Sequence, residues 1–276
     1  MESTHKSRIV LFYSPQGGAG KSTLAVNTAI FNSLAGNKTL LIDMSMFGGI
    51  MATLRIPQKG GYGLSAIITL LELDIKSAKT GRFSDVVKGS IVKSDVIDNL
   101  DVLISANPIK MDIVNEKHTK IIVDIMRSLD YDTIIVDSSS DLCERNIVLL
   151  DEADSIIIPV IQDMSCGWKM VLFKEVMERY SLDSKKIKLV VNKCSKFSGF
   201  NNMEFEREIG YKIIDEIPLF IKKFQCFVNE GILINTMRSR RAYKKFQHTS
   251  SMILKNKANG QLADFCFKPG QVKNEC

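Results

Sequence analysis

Histidine is scarce in this chain, at 3 of 276 residues, and the 6 cysteines (143, 166, 194, 226, 266 and 276) are widely spaced with no Cys-x-x-Cys pair. That spacing excludes a disulfide framework and a zinc site built on paired ligands, and it predicts reduced thiols in a cytoplasm. Long apolar runs are also missing. Ile156 to Ile158, continuing through Pro159-Val160-Ile161, falls far short of the roughly 20 residues a membrane span needs. The opening residues Met1 to Arg8 contain no apolar signal core, so no Sec-type export is expected. With only 6 Pro and 17 Gly and no Ser/Pro/Gly-rich linker, the expected organisation is one domain over 1–257 followed by a flexible tail over 258–276. What is present is 45% hydrophobic and 25% charged residues, enough to fill a core and inconsistent with disordered, collagen-like or mini-protein classes.

The charge is unevenly placed. Between Lys222 and Lys257 nine Lys/Arg meet one acid, Glu230, a local +8 within a chain of net +6, so the remainder carries −2.

Short β-branched, apolar segments recur at Arg8 to Tyr13, Thr39 to Asp43, Leu100 to Ser105, Thr133 to Asp137, Ser155 to Val160, Ile187 to Asn192 and Ile213 to Ile217. Helical patterns fall at 21–35, 64–73, 112–129, 142–152, 165–181, 220–230 and 237–255. Near-continuous apolar strands alternating with helices predict an α/β fold, a mostly parallel sheet of about seven strands covered on both faces. Trp168 and Met164, Met170 and Met177 fall on or beside one of these helices and are expected in the core, where methionine fills irregular gaps.

The sharpest motif is Gln16-Gly17-Gly18-Ala19-Gly20-Lys21-Ser22-Thr23, between the first strand and the first helix. Glycines let successive N–H groups and the helix N-terminus point at phosphate oxygens. Lys21 is expected to reach the β/γ-phosphates and Ser22 to ligate Mg²⁺. The plain alternative is a glycine turn that only opens a helix.

The general phosphate-loop pattern has glycine six residues before the lysine, and Pro15 stands there. The stretch instead resembles the deviant Walker A loop of the ParA/MinD family of P-loop ATPases. Leu40-Leu41-Ile42-Asp43 is similar to that family's strand after the first helix, and Tyr131 to Asp137 resembles its Walker B strand. Val190-Val191-Asn192-Lys193 and Glu216-Ile217-Pro218, with Asn229-Glu230-Gly231 beyond, resemble its adenine side and C-terminal region. The resemblance runs from about residue 7 to 257. It implies ATP and Mg²⁺ as cofactors, with Gly17, Gly18, Ala19, Gly20, Lys21, Ser22, Thr23, Asn192 and Pro218 at the nucleotide. It further implies Ser22, Asp43 and Asp137 at the metal, Lys21 and Asp43 as the catalytic pair, and a homodimer formed on ATP binding. A buried strand-end carboxylate serving only as a cap is the alternative for both aspartates.

Two departures bear on turnover. The family places a lysine at the start of the loop, where this chain has Gln16. That lysine crosses the dimer interface, and a trans charge of this kind contributes about 10³ to 10⁵ in rate by analogy with arginine fingers. The family's second carboxylate after the next strand is replaced by serine in Asp43-Met44-Ser45, and serine is a poor acceptor for a water proton. Both losses predict preserved binding and slow or absent hydrolysis. Asp141 is a possible replacement carboxylate, though Asp141-Leu142-Cys143-Glu144 is capping-box-like, and the cap is the preferred reading.

Asp43 to Gly49 followed by Gly61 to Ser65 is most similar to the CpaE/TadZ-like branch, which implies a positional protein for pilus or secretion machinery. The rival reading is a partition ATPase contacting DNA phosphates through Arg238, Arg240, Arg241, Lys244 and Lys245. A metabolic P-loop enzyme is a third class, weakened by the lack of paired cysteines for an iron–sulfur cluster. In the segment from Arg238, Tyr243, Phe246, Ile253 and Leu254 form one semi-apolar face that should pack on the sheet.

Overall fold

A parallel sheet forms where apolar strands bury both faces, as its central strands do here, and the sheet has eight strands among the residues that the computed structural model describes: 7–54, 56, 63–73, 81–95, 97–195, 201–220 and 240–254. In chain order the elements are β1 (Arg8–Phe12), α1 (Lys21–Leu34), β2 (Thr39–Met44), α2 (Ile50–Thr53), α3 (Gly63–Leu73), α4 (Gly81–Ser90), β3 (Val92–Lys93), β4 (Leu100–Leu103) and α5 (Pro108–Asp112). They continue through α6 (Glu116–Ser128), β5 (Thr133–Ser138), α7 (Glu144–Glu152), β6 (Ser155–Val160), α8 (Met164–Arg179), β7 (Ile187–Cys194), α9 (Asn202–Ile209), β8 (Lys212–Pro218) and α10 (Arg240–Leu254). The strand order is β3-β4-β2-β5-β1-β6-β7-β8. β3 pairs antiparallel with β4, and the other pairings are parallel.

Alternation along each strand divides the core in two. Ile9, Leu11 and Tyr13 of the first strand segment join Leu40, Ile42, Leu149, Met170 and Phe173 on one face. Val10 and Phe12 join Leu24, Ile30, Leu41, Phe246 and Ile253 on the other, beneath α1 and α10. Each such large side chain contributes about 1.5–3 kcal/mol by leaving water. Tyr243 meets Phe31 edge-on at 5.1 Å, seating α10 on α1.

The sequence reading differs from this architecture in a few places. The eighth strand, β3, is a two-residue edge pairing with too little sequence to show a period. The helix expected over 112–129 is α6, whose start falls at Glu116 because Asn115 caps it by accepting from His118 N; the short α5 before it, capped by Asn107 through Lys110 N, was not foreseen. Helices α2, α4 and α9 were not foreseen. Beyond Phe220, the helix expected over 220–230 lies outside the described residues, as does the tail over 258–276. Met170 and Met177 are buried as expected, but Met164 is 78% and Trp168 65% exposed, on the outer side of α8.

Candidate nucleotide-binding site

β1 lies at the centre of the sheet between β5 and β6, so the Gln16–Gly20 loop sits at the carboxyl ends of the strands, where open α/β sheets bind ligands. Gly18 (φ 73°) and Gly20 (φ 101°) adopt left-handed backbone conformations, which side chains disfavour and which curl the loop before α1. Gly20 caps α1 without any side-chain hydrogen bond, so the first N–H groups of the helix are left to an anion. The loop is braced from neighbouring strands. Ser14 Oγ donates to Pro159 O at 3.0 Å and accepts from Gln16 N at 3.2 Å. Asn192 Nδ2 donates to Ala19 O at 2.8 Å, and Lys193 Nζ to Gly18 O at 2.7 Å. Lys193 holds φ 58°, a conformation that costs a non-glycine residue of order 1–3 kcal/mol and is offset here by the bond to the loop.

The two strand-end aspartates are brought together by register. Parallel pairing of β2 with β5 sets Asp43 opposite Asp137, both 1% exposed. Burial, followed by the neighbouring Asp43 charge, pushes the Asp137 carboxyl up to about 7, against the opposing influence of a hydrogen bond from Ser22 and the Lys21 charge. Asp137 Oδ1 has no hydrogen-bond partner among the described residues. Burial likewise raises Asp43.

Asp43 is also a cap. Its Oδ1 accepts from Ser45 Oγ at 2.5 Å and Ser45 N at 3.1 Å, and its Oδ2 from Ile50 N at 3.1 Å. Both of its oxygens are thus engaged by their own loop. Ser45 is fixed further when its carbonyl accepts from Ser105 Oγ at 2.7 Å. No carboxylate stands at position 45, and the serine hydroxyl that replaces it is turned onto Asp43.

Lys21 Nζ donates to Ser140 Oγ at 2.5 Å. Burial lowers its ammonium, while Asp137 and Asp141 oppose that shift. The Ser138–Asp141 loop is held by fully buried Arg145, which donates to Met111 O at 2.7 Å and Ser139 Oγ at 3.4 Å, and by Asn146 bonding to Asp141 O at 2.8 Å. The cap expected from Asp141 does not form: α7 starts at Glu144 with Cys143 as its cap position. Burial pushes the Asp141 carboxyl up, but bonds from Ser139 and Cys143 and the Arg145 charge outweigh it and hold it below the ordinary range.

These residues fit Mg²⁺ and a polyphosphate. An unpartnered carboxylate oxygen, two adjacent buried acids and a helix start with open N–H groups are each relieved by a cation and its anionic ligand. Ser22 and Asp137 would hold the metal, with Asp43 behind them, while Lys21, Gly17, Gly18, Ala19, Gly20 and Thr23 line the phosphate side. A bound Mg²⁺ would neutralise phosphate charge. Among the described residues no cluster of three or more His, Cys, Asp or Glu could hold a metal alone.

The remaining expected residues are more dispersed. Asn192 uses both ends of its amide within the chain, donating to Ala19 O and accepting from Lys193 N at 2.9 Å, so it braces the loop. Pro218 ends β8 opposite Cys194 and lines an open groove of about 790 Å³ with Phe220, Arg241 and Lys245. Arg238 lies outside the described residues, and only the backbone of Arg240 is described. Arg241 and Lys244 are exposed, but Lys245 is paired with Asp215 at 2.5 Å and is not a solvated cation. The sequence reading gave no role to Ser140 and did not single out Arg145 or Lys169, whose Nζ donates to Gln16 Oε1 at 2.6 Å from 153 residues away. No sequence spacing signals such a pairing. Among the described residues no helix is long and apolar enough to cross a membrane.

Sheet order, loop and paired aspartates define the P-loop NTPase fold. A family model described as an AAA domain matches residues 7–178, and the chain belongs to that family, within the ParA/MinD P-loop ATPases. It is 25% identical over 161 residues to the chromosome-partitioning ATPase Soj of Treponema pallidum, a match spanning 55% of this chain and only 56% of that protein. It is 24% identical to the chromosome partitioning protein ParA of Myxococcus xanthus over 83% of this chain and 77% of that one. The septum site-determining protein MinD of Pyrococcus horikoshii, solved with Mg-ADP, superposes with a TM-score of 0.72 at 16% identity, covering 90% of this chain and 96% of MinD. At that identity the likeness is one of fold.

Proposed function

We propose that this protein binds Mg-ATP at the Gln16–Thr23 loop and uses nucleotide-dependent dimerisation to position a partner complex, with slow hydrolysis or none. The observation that carries the reading is the contrast within one site. The phosphate cradle and the Asp43/Asp137 pair are complete, whereas position 16 is neutral and the Ser45 hydroxyl is bonded to Asp43 at 2.5 Å. Assembly needs only a difference in ATP affinity between monomer and dimer, and hydrolysis is needed only for cycling. A cargo of pilus or secretion type follows from the likeness of 43–49 and 61–65 to the CpaE/TadZ-like branch.

The test is ATP binding and single-turnover hydrolysis with Mg²⁺ for the wild type, Gln16→Lys, Ser45→Asp and the double variant, with mass followed by light scattering. Tight binding, ATP-dependent dimers and negligible turnover are expected. Brisk wild-type turnover would overturn the slow-ATPase reading.

A second reading, a partition ATPase on DNA, is favoured by the likeness to Soj and ParA and by exposed Arg241 and Lys244 on α10. Retention on non-specific duplex DNA at moderate salt, lost in Arg241→Ala/Lys244→Ala, would support it. Indifference of binding to those changes would remove it.

A further inference from the structure

Lys169 is the one lysine that α8 delivers to the phosphate loop, and its placement follows from the packing of that helix. Asp163 caps α8 by accepting from Cys166 N at 2.7 Å, Cys166, Met170 and Phe173 are buried along its inner side, and Phe173 meets Tyr13 at 5.3 Å between ring centroids. Tyr13 directly follows β1, so the helix and the start of the loop are keyed to each other. Lys169, on the flank between the buried stripe and exposed Trp168, reaches Gln16 Oε1 at 2.6 Å.

That contact is an unusual use of an ammonium. A neutral amide oxygen satisfies one of its donors and none of its charge, and among the described residues no carboxylate lies within 4.0 Å to form an ion pair with it. The other two lysines at the loop are differently employed: Lys21 is bonded to Ser140 between Asp137 and Asp141, and Lys193 to the Gly18 carbonyl. A half-buried cation without an anionic partner, at the first residue of a polyphosphate-binding loop, is matched by the charge that a nucleoside triphosphate would bring.

Building on the nucleotide-binding reading above, we propose that Lys169 is a phosphate-contacting residue that supplies from α8, within the same chain, the positive charge missing at position 16. Gln16 holds the ammonium at the loop entrance, and the terminal phosphate of Mg-ATP takes it over. The residue thereby discriminates triphosphate from diphosphate, because the cation is used fully only when the additional phosphate is present.

The experiment measures equilibrium affinities for Mg-ATP and Mg-ADP, with thermal unfolding recorded in parallel, for the wild type, Lys169→Gln, Lys169→Arg and the transposed Gln16→Lys/Lys169→Gln. Loss of about tenfold in ATP affinity is expected in Lys169→Gln with ADP affinity changed less than threefold. Lys169→Arg and the transposed protein should stay within about threefold of wild type for ATP. An unchanged ATP:ADP ratio in Lys169→Gln, with only the melting temperature altered, would reduce Lys169 to a tether for Gln16 and overturn the proposal, as would failure of the transposed protein to regain ATP affinity. A wild type that binds neither nucleotide would instead overturn the function proposed above.

Discussion

Asn192 closes over Gly20 so tightly that a Cβ built on the glycine would lie 2.2 Å from Asn192 Nδ2. The same amide donates to the carbonyl of the preceding residue, Ala19. The loop is therefore shaped as much by β7 as by its own glycines.

Gly20→Ala should consequently fail twice, on the contact with Asn192 and on φ 101°. We expect a loss of about 1–3 kcal/mol in stability from the strained backbone together with loss of detectable nucleotide binding. Thermal unfolding and a fluorescent-nucleotide titration measure the two, and wild-type affinity in this variant would refute the account of the loop.

Asp137→Asn should separate stability from binding. The folded carboxyl is raised to about 7, above the unfolded value near 4, so between those pH values the native state holds a proton that the unfolded state has lost. Stability of the nucleotide-free protein must then fall as pH rises from about 4 to 7. Asn removes that decline and the repulsion with Asp43, leaving the nucleotide-free protein as stable as wild type or more so at pH 7, while Mg²⁺-dependent nucleotide binding weakens at least tenfold. Denaturant titrations at pH 5 and 7 with and without Mg-ATP provide the check.

Asp215 acts with the opposite sign. Burial pushes its carboxyl up, but bonds from Lys245 Nζ at 2.5 Å and Thr249 Oγ1 at 2.6 Å outweigh this and hold it below the ordinary range. Its contribution is present above the unfolded pKa and is lost as pH falls through the lower folded one. Asp215→Asn should cost about 1–3 kcal/mol at pH 7 and loosen α10. Acid unfolding of the variant should lack this component, and equal stability of the two proteins at pH 7 would show the pair to be unimportant.

Trp168, the single tryptophan, is 65% exposed. Its emission in the monomer should be solvent-like and readily quenched by acrylamide. A blue-shifted, unquenchable spectrum would mean that α8 is turned inward or covered by another molecule.

Ser45→Asp illustrates what sequence comparison alone misjudges. The substitution restores a family carboxylate on paper, yet here it removes the hydroxyl that donates to Asp43 and sets a third acid beside a buried pair. We expect destabilisation of about 1–3 kcal/mol without Mg²⁺, read by melting temperature, and recovery when Mg-ATP is added. A melting temperature equal to wild type without Mg²⁺ would contradict this.

The loop from Gln16 to Thr23, the strands ending at Asp43 and Asp137, and the α/β architecture were legible because they are local: a glycine pattern, a β-branched run and a capped helix each lie within a few adjacent residues. The neutral residues at positions 16 and 45 were equally legible. Trp168 and Met164 were misplaced because helical periodicity shows that α8 has an apolar stripe but not that two further apolar residues stand on its opposite side. Asp141 was misread because a capping pattern gave way to the bonds that Arg145 and Asn146 make with its loop. The sequence by itself thus determined which chemical groups stand at the phosphate loop and which are missing. Only the tertiary structure decided what surrounds them, including Lys169 at Gln16, Asn192 over Gly20 and Ser105 on Ser45. Strand register and helix packing set those meetings, and residues so far apart in the chain leave no periodicity to read.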